Sequence, residues 1–175
     1  TTLFDNLDQD LEGYSGVVAA YSQSQKVAYL YKNSTISVNS AEMITQGMEQ
    51  SDWANGRYPY EIQFTAAING EQQEFYAYNI HAKASGEASE YSKRLNASAQ
   101  LKNYIDNARS YDNVIVLGDF NDEILESTST GTPDSPYKNF DDYPEYTIVT
   151  KSLEEKGLTS YARFSMIDHI LFSAE

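Results

Sequence analysis

Residues 114–122 read VIVLGDFND, and this stretch decides the predicted fold class. A nearly continuous apolar run stops abruptly at Gly-Asp-Phe-Asn. A short apolar run without alternation is typical of a strand that is covered on both faces of a sheet. We therefore predict a buried strand over residues 113–118, followed directly by Asp119, Phe120 and Asn121.

Asp119 and Asn121 are candidate catalytic residues because of their spacing. On an extended backbone they would point to the same side, while Phe120 would point into the core. Ligands of open α/β sheets commonly bind at the carboxyl ends of the strands. There Asp119 could orient or deprotonate a water molecule, and Asn121 could donate a hydrogen bond to a phosphate oxygen. The pair would also fit an ordinary turn that closes the strand.

The segment before this strand predicts a β-hairpin. Residues 60–68 and 73–81 are β-type runs, and Asn69-Gly70 between them accepts the positive φ of a type I′ turn. The other predicted strands cover residues 17–20, 26–32 and 165–172.

One long helix is predicted over residues 87–109. Its apolar residues recur at a spacing of three to four and form one stripe, which only Ser98 interrupts. The stripe comprises Tyr91, Leu95, Leu101, Ile105 and Ala108. Strands mixed with a helix favour an α/β sandwich, which we place in a single domain over residues 1–175. The polar loop over residues 127–144 is long enough to be functional or mobile.

The composition limits the function classes. The chain has 175 residues, with 12 Lys and Arg against 26 Asp and Glu, which gives a net charge of −14. Such a charge disfavours sequence-independent nucleic-acid binding, which depends on Lys and Arg contacts to phosphate. The absence of cysteine excludes a disulfide framework and a thiolate zinc site. No apolar run approaches the ~20 residues of a membrane-spanning helix.

Three further residues are candidates, each with an ordinary alternative. His81 ends a predicted strand, where a histidine is also commonly a packed or surface residue. Asp168 interrupts an apolar run, where an ionised carboxylate is costly unless a histidine, an arginine or a metal ion pairs with it. Arg57, with Pro59 close behind it, could present a fixed guanidinium to phosphate or could be an ordinary surface residue.

Four motifs together resemble the endonuclease/exonuclease/phosphatase superfamily, which has the DNase I-like fold. They are Arg57-Tyr58-Pro59, Asn79-Ile80-His81, Gly118-Asp119-Phe120-Asn121 and Ile167-Asp168-His169-Ile170. The GDFN element is the most specific of them, and the predicted helix lies between the second and the third. The resemblance runs from about residue 11 to residue 172. It implies a two-sheet α/β/β/α sandwich of the DNase I-like type, incomplete at both termini.

The resemblance also implies catalytic roles for four residues. His81 would contact the scissile phosphate and stabilise charge on it. Asp119 would align and activate the attacking water, and Asn121 would orient the phosphate or Asp119. Asp168 would lie close to the metal and the catalytic histidine region.

Phosphate binding and a metal ion are implied in the same way. Arg57 and Asn79 would bind the substrate phosphate, and Asp119 and Asn121 could contact the metal. The expected ion is Mg²⁺, with Mn²⁺ or Ca²⁺ as alternatives. The implied reaction is metal-assisted hydrolysis of a phosphoester, either a small phosphoester, a lipid headgroup or a nucleic acid.

The resemblance is incomplete at both ends of the chain. Family members begin with a strand carrying an Asn and a strand ending in Gln-Glu, whose Glu is the principal metal ligand. Residues 3–14 look like the helix and turn that follow this Glu. Family members also end with a Ser-Asp-His strand, which is not found in this sequence. His169 does not replace its histidine, because His169 would point to the opposite face from Asp168. We therefore expect a piece of a larger enzyme that is inactive alone, with exposed sheet edges that could form a homodimer.

Two alternatives to an incomplete hydrolase stay open. One is a catalytically inactive module of the same fold that binds a phosphate ligand. The other is a structural or sugar-binding surface domain, for which the tyrosines are the only argument. These are Tyr58, Tyr60, Tyr76 and Tyr78, which could equally fill strand faces.

Overall fold

The computed structural model describes residues 10–132 and 134–173. The strands are β1 (Tyr14–Val18), β2 (Ala28–Lys32), β3 (Ile36–Met43), β4 (Tyr60–Ile68), β5 (Glu71–His81), β6 (Asn113–Asp119), β7 (Tyr146–Ile148) and β8 (Asp168–Ser173). The helices are α1 (Ala88–Ala108), α2 (Lys138–Asp141) and α3 (Lys151–Glu154).

The strands form two sheets. β1 and β2 make a two-stranded antiparallel sheet, and the other six lie in the order β3-β4-β5-β6-β8-β7. Within the larger sheet β5 and β6 are parallel, with α1 as the connection between them, whereas β6 and β8 are antiparallel. The carboxyl ends of β5 and β6 therefore meet the beginning of β8 at one end of the sheet.

The predicted hairpin is confirmed. β4 has the predicted bounds, and β5 begins at Glu71, two residues earlier than expected. Asn69 and Gly70 have φ values of 53° and 89°, which is the left-handed conformation that a two-residue turn of this type requires.

The predicted α1 is confirmed to within one residue at each end, but its predicted buried stripe is wrong in part. Leu95 is 42% exposed, whereas Arg94 and Ser98 are buried. Arg94 is buried because it pairs with Asp122, and Ser98 because its hydroxyl donates to Asn139 Oδ1 at 2.7 Å. Hydrogen-bonding partners in the segments that pack against α1 thus decide which of its residues are buried, in place of the apolar periodicity.

The core lies on both faces of the larger sheet. On one face Leu101 and Ile105 of α1 belong to the same buried cluster as Tyr78 and Val116. On the other face the small sheet covers β4 and β5, where the Tyr29 hydroxyl donates to the carbonyls of Tyr60 and Ala77 at 2.9 and 2.8 Å. A helix layer, a six-stranded sheet and a two-stranded sheet are stacked, which confirms the α/β sandwich.

Several elements differ from the sequence-based expectation. β3 was not expected; a bulge between Val38 and Ser40 breaks its alternation. The last strand begins at Asp168, three residues later than predicted, and the polar loop over residues 127–144 contains α2. The helix and turn expected over residues 3–14 lie mostly outside the described residues. None of the helices that the structure describes is both long and apolar enough to cross a membrane.

Candidate active site

Three polar residues form a row across this end of the larger sheet. His81 ends β5 and is in register with Asp119, which ends β6. Asp119 is in turn in register with Asp168, which begins β8. Residues opposite one another on adjacent strands share a face of the sheet, so these three side chains lie side by side. The structure thus brings together candidates that are far apart in the sequence.

The Asp119 carboxylate is the centre of this row. Its Oδ2 lies 3.7 Å from His81 Nε2, and its Oδ1 accepts the backbone N–H of Asn121 at 2.9 Å. The expectation that Asn121 continues an extended strand is wrong, because the strand ends at Asp119 and Asn121 has a φ of 51°. This turn still holds Asn121 beside the carboxylate, and Phe120 between them is buried as predicted.

Asp168 does not lie in an apolar environment. It is the exposed first residue of β8, and its backbone N–H donates to Ser160 Oγ at 3.0 Å, so its charge needs no buried partner. The next residue, His169, is buried on the opposite side, where its ring nitrogens lie 3.0 Å from Thr150 Oγ1 and 3.1 Å from the Asp122 carbonyl. His169 thus faces away from the row, as expected.

Arg57 is held rigidly beside the row. It is only 6% exposed, and it donates to Gln25 Oε1 and to the Ala82 carbonyl, both at 3.1 Å. The same carbonyl accepts the side-chain amide of Asn121 at 3.1 Å. A single carbonyl after His81 therefore fixes both the guanidinium and the amide.

Arg57, His81, Asp119 and Asn121 open onto one cleft of about 520 Å³, whereas Asp168 is not among its lining residues. Its lining residues are Gln25, Arg57, His81, Ala84, Ser85, Gly86, Asp119, Asn121, Thr128, Tyr161, Ser165 and Ile167. The sequence-based search did not single out Gln25, Ser85, Thr128, Tyr161 or Ser165. These five lie in connecting segments, where no local pattern marks a site residue.

Asn79 is not among the residues that line the cleft. Its side-chain amide donates to the Ala28 carbonyl at 3.1 Å, which connects β5 to the small sheet. A phosphate contact from Asn79 therefore stays a prediction that this placement does not favour.

The environment changes the protonation equilibria of the row. Burial lowers the pKa of the His81 imidazole, the charge of Arg57 lowers it further, and the Asp168 carboxylate opposes both. Burial raises the pKa of the Asp119 carboxyl, and Asp168 adds to this, whereas the Asn121 N–H and Arg57 oppose it. His81 is consequently a neutral imidazole at pH 7, able to donate a hydrogen bond or to accept a proton.

A buried ion pair holds the two loops that form one wall of the cleft. Arg94 and Asp122 are fully buried, and Arg94 Nη2 donates to Asp122 Oδ2 at 2.8 Å. Arg94 Nη1 also donates to the carbonyls of Lys83 and Ser85, and Asp122 Oδ1 accepts the Thr128 N–H at 2.6 Å. The loop after β5 and the loop after β6 are thereby joined into one unit.

The residues described here form no cluster of three or more His, Asp and Glu side chains that could hold a metal ion. Asp119 and Asp168 are the carboxylates of the row.

No protein-family model matches the chain, and no curated protein does. Solved structures do match it. Humanized TDP2 from D. rerio is 16% identical with a TM-score of 0.65, and the mannosyl-6-phosphatase from Bacteroides thetaiotaomicron is 14% identical with a TM-score of 0.67. An endonuclease/exonuclease/phosphatase family protein from the same bacterium is 14% identical with a TM-score of 0.66. The chain has a DNase I-like fold.

The matches to this DNase I-like fold extend over almost all of the chain. They cover 97%, 99% and 98% of it, respectively. The chain in turn spans 62%, 68% and 65% of the three solved proteins. With identities of at most 16%, the likeness concerns the DNase I-like architecture and leaves the activity to be argued from the cleft.

Proposed function

We propose that the protein hydrolyses phosphoesters and binds the phosphate group in the cleft beside Arg57 and His81. The observation that carries this proposal is the row of His81, Asp119 and Asp168 next to a buried, immobilised Arg57. A fixed guanidinium is well suited to phosphate oxygens. One protein that shares the fold is named as a mannosyl-6-phosphatase, which agrees with a phosphoester substrate.

Each residue of the cleft has a chemical task in this proposal. Arg57 binds a non-bridging oxygen of the phosphate. His81, as a neutral imidazole, donates a hydrogen bond to charge that develops on the phosphate. Asp119 aligns and deprotonates the attacking water, because it is the carboxylate of the row that lines the cleft. Asn121 keeps Asp119 in place through its backbone N–H.

The proposal includes a divalent cation, which we expect to be Mg²⁺. This ion usually binds to one or two carboxylates, keeps several waters and takes substrate phosphate oxygens. Asp119 and Asp168 fit that donor set, and they are the residues that would hold the ion. When bound, it would polarise the phosphoryl group.

Replacing either member of the His81–Asp119 pair should greatly lower turnover by the full-length protein. We expect Asp119→Asn and His81→Ala to lower kcat/KM by about 100-fold or more, because each removes a proton-transfer or charge-stabilising group. Release of p-nitrophenol from the mono- and bis-(p-nitrophenyl) phosphates, with Mg²⁺ and with EDTA, measures this. Asp142→Asn, which changes an exposed carboxyl on α2's C-terminal side, should retain full activity.

Two results would contradict a hydrolase. Turnover that survives both substitutions would place the chemistry elsewhere. Phosphate binding that depends on Arg57, in a full-length protein that shows no turnover with any metal, would instead support a binding module of the same fold.

The proposal extends to self-association through sheet edges. β3 and β7 are the outer strands of the larger sheet, and outer strands present unpaired backbone groups. Ile170 and Phe172 on neighbouring β8 are 42% and 39% exposed, which adds apolar surface close to β7. We expect sedimentation velocity to show a dimer whose fraction rises with protein concentration. A single monomer boundary at all concentrations would contradict this part of the proposal.

A further inference from the structure

A tight turn at the mouth of the cleft presents two exposed aromatic rings. The turn covers residues 160–165, and Tyr161 and Phe164 in it are 60% and 80% exposed. Tyr161 and Ser165 both line the cleft that contains His81 and Asp119. An aromatic ring is thus available to a molecule whose phosphate lies against the row.

The backbone of this turn is strained. Ala162 and Arg163 have φ values of 47° and 67°, although neither is glycine, and this conformation is uncommon for such residues. Strained backbone of this kind persists only where the surroundings impose it, and it is frequent at ligand sites.

Hydrogen bonds close the turn and attach it to the beginning of β8. The N–H of Tyr161 donates to the Ser165 carbonyl at 2.9 Å, and the N–H of Phe164 donates to the Tyr161 carbonyl at 2.9 Å. Ser160 Oγ accepts the N–H groups of Ile167 and Asp168, both at 3.0 Å. The Tyr161 backbone is therefore positioned relative to Asp168 before any ligand arrives, which lowers the entropic cost of binding.

The charge around the cleft suits one phosphate. Among its lining residues, Arg57 alone carries a permanent positive charge, and Arg163 in the neighbouring turn is exposed and does not line the cleft. Lys83, beside the cleft, lies 3.4 Å from the carboxylate of Glu90, and Arg94 is buried against Asp122. A polynucleotide needs several Lys and Arg contacts along its backbone, and the net charge of −14 opposes it further.

We propose that the substrate is a small phosphoester with one phosphate, whose organic part is a ring that packs against Tyr161. This inference rests on the proposed function. A sugar ring and a nucleoside base share the required chemistry, a flat or apolar face that an aromatic side chain can cover. The cleft volume of about 520 Å³ lies within the range of small-molecule sites.

Binding measurements test the inference without requiring turnover. Isothermal titration of the protein with a hexose 6-phosphate, a nucleoside 5′-monophosphate, glycerol 3-phosphate and inorganic phosphate compares ring-bearing with acyclic ligands. We expect Tyr161→Ala to weaken at least one ring-bearing ligand about tenfold, and Tyr161→Phe to retain its affinity. The affinity of Tyr161→Ala for glycerol 3-phosphate and for inorganic phosphate should stay within about twofold of that of the unsubstituted protein. The matched control is Tyr111→Ala, which removes a fully exposed tyrosine remote from the cleft and should change nothing.

The outcomes separate this inference from the proposed function. One outcome would overturn the inference alone. In it Arg57→Ala abolishes phosphate binding, but Tyr161→Ala changes the affinities for ring-bearing and acyclic ligands to the same extent. A single-stranded oligonucleotide that binds more tightly than the mononucleotide, with a steep dependence on salt, would overturn the assignment to one phosphate. If none of the ligands binds, inorganic phosphate included, both the inference and the proposed function would be overturned. If Tyr161→Ala weakens the hexose 6-phosphate more, the ring of the substrate is a sugar. If it weakens the nucleoside 5′-monophosphate more, the ring is a nucleoside base.

Discussion

Gly118→Ala is expected to destabilise the protein by about 4 kcal/mol or more, which ranks among the largest effects of a single substitution. A Cβ at this position would lie 2.1 Å from the Ile80 carbonyl oxygen and 2.8 Å from Asn79 Oδ1. Gly118 also has a φ of 129°, which side chains rarely adopt. For a domain of this size we expect the melting temperature to fall by about 10 °C or more.

The effect reaches the cleft as well as the fold. Ile80 and Gly118 are partners in the parallel pairing of β5 and β6, and His81 and Asp119 are the next pair along. A methyl group between the strands must push them apart at the end where His81 and Asp119 lie. Any Gly118→Ala protein that folds should therefore also bind inorganic phosphate more weakly.

Gly157→Ala is the matched control. Gly157 has a φ of 69°, and a Cβ there would have no atom within 4 Å, so only the backbone strain remains. We expect a loss of about 1 kcal/mol. Thermal and urea unfolding of the two variants measure the difference. Equal stabilities for Gly118→Ala and Gly157→Ala would show that the contact with β5 is not the reason for the glycine.

The second large effect is expected from the buried ion pair. Removing one partner of such a pair leaves an uncompensated charge in the interior, which costs about 3–5 kcal/mol. Arg94→Met would leave the Asp122 carboxylate buried and would release the carbonyls of Lys83 and Ser85. Urea unfolding should show this loss of stability, together with weaker phosphate binding, because Ser85 and Thr128 line the cleft on the two loops that the pair joins.

A double-mutant cycle and an exposed ion pair serve as controls. The double variant Arg94→Met with Asp122→Leu should lose less stability than the sum of the two single variants, because it leaves no charge unpaired. Lys138→Met breaks the exposed pair with Asp134 and should leave the stability almost unchanged, because solvent screens exposed charges. Additive single effects at Arg94 and Asp122 would contradict a coupled pair.

The elements that the sequence predicted best are those with strong local signals. Asn69-Gly70 defines its hairpin because both residues tolerate positive φ, and the apolar run before Gly118 is typical of a covered strand. β3 was missed because its bulge after Val38 interrupts the alternation on which strand recognition depends. β7 was missed because it contains only three residues.

The buried face of α1 shows a different limit. Leu95 fits the apolar stripe yet is exposed, while Arg94 is buried without breaking any rule of helix formation. What buries Arg94 is Asp122, a residue in another loop, and no local pattern reveals a partner so far along the chain.

The candidate site divides in the same way. His81 and Asp119 were found at the ends of predicted strands and Asp168 because it interrupts an apolar run, and all three belong to motifs that resemble one family. Their register across three strands depends on the topology, which local sequence does not encode. Tyr161 was overlooked because an exposed tyrosine in a connecting segment carries no signal until the turn around it is seen.

The parallel pairing of β5 with β6 has a consequence for the order of events in refolding. Local structure such as the β4–β5 turn and much of α1 can form early, but His81 meets Asp119 only after the whole crossover has closed. Contacts between distant segments of this kind are the slow part of folding. The cleft should therefore be among the last features to form, so that recovered affinity for inorganic phosphate is expected to mark completed folding better than recovered helix content does.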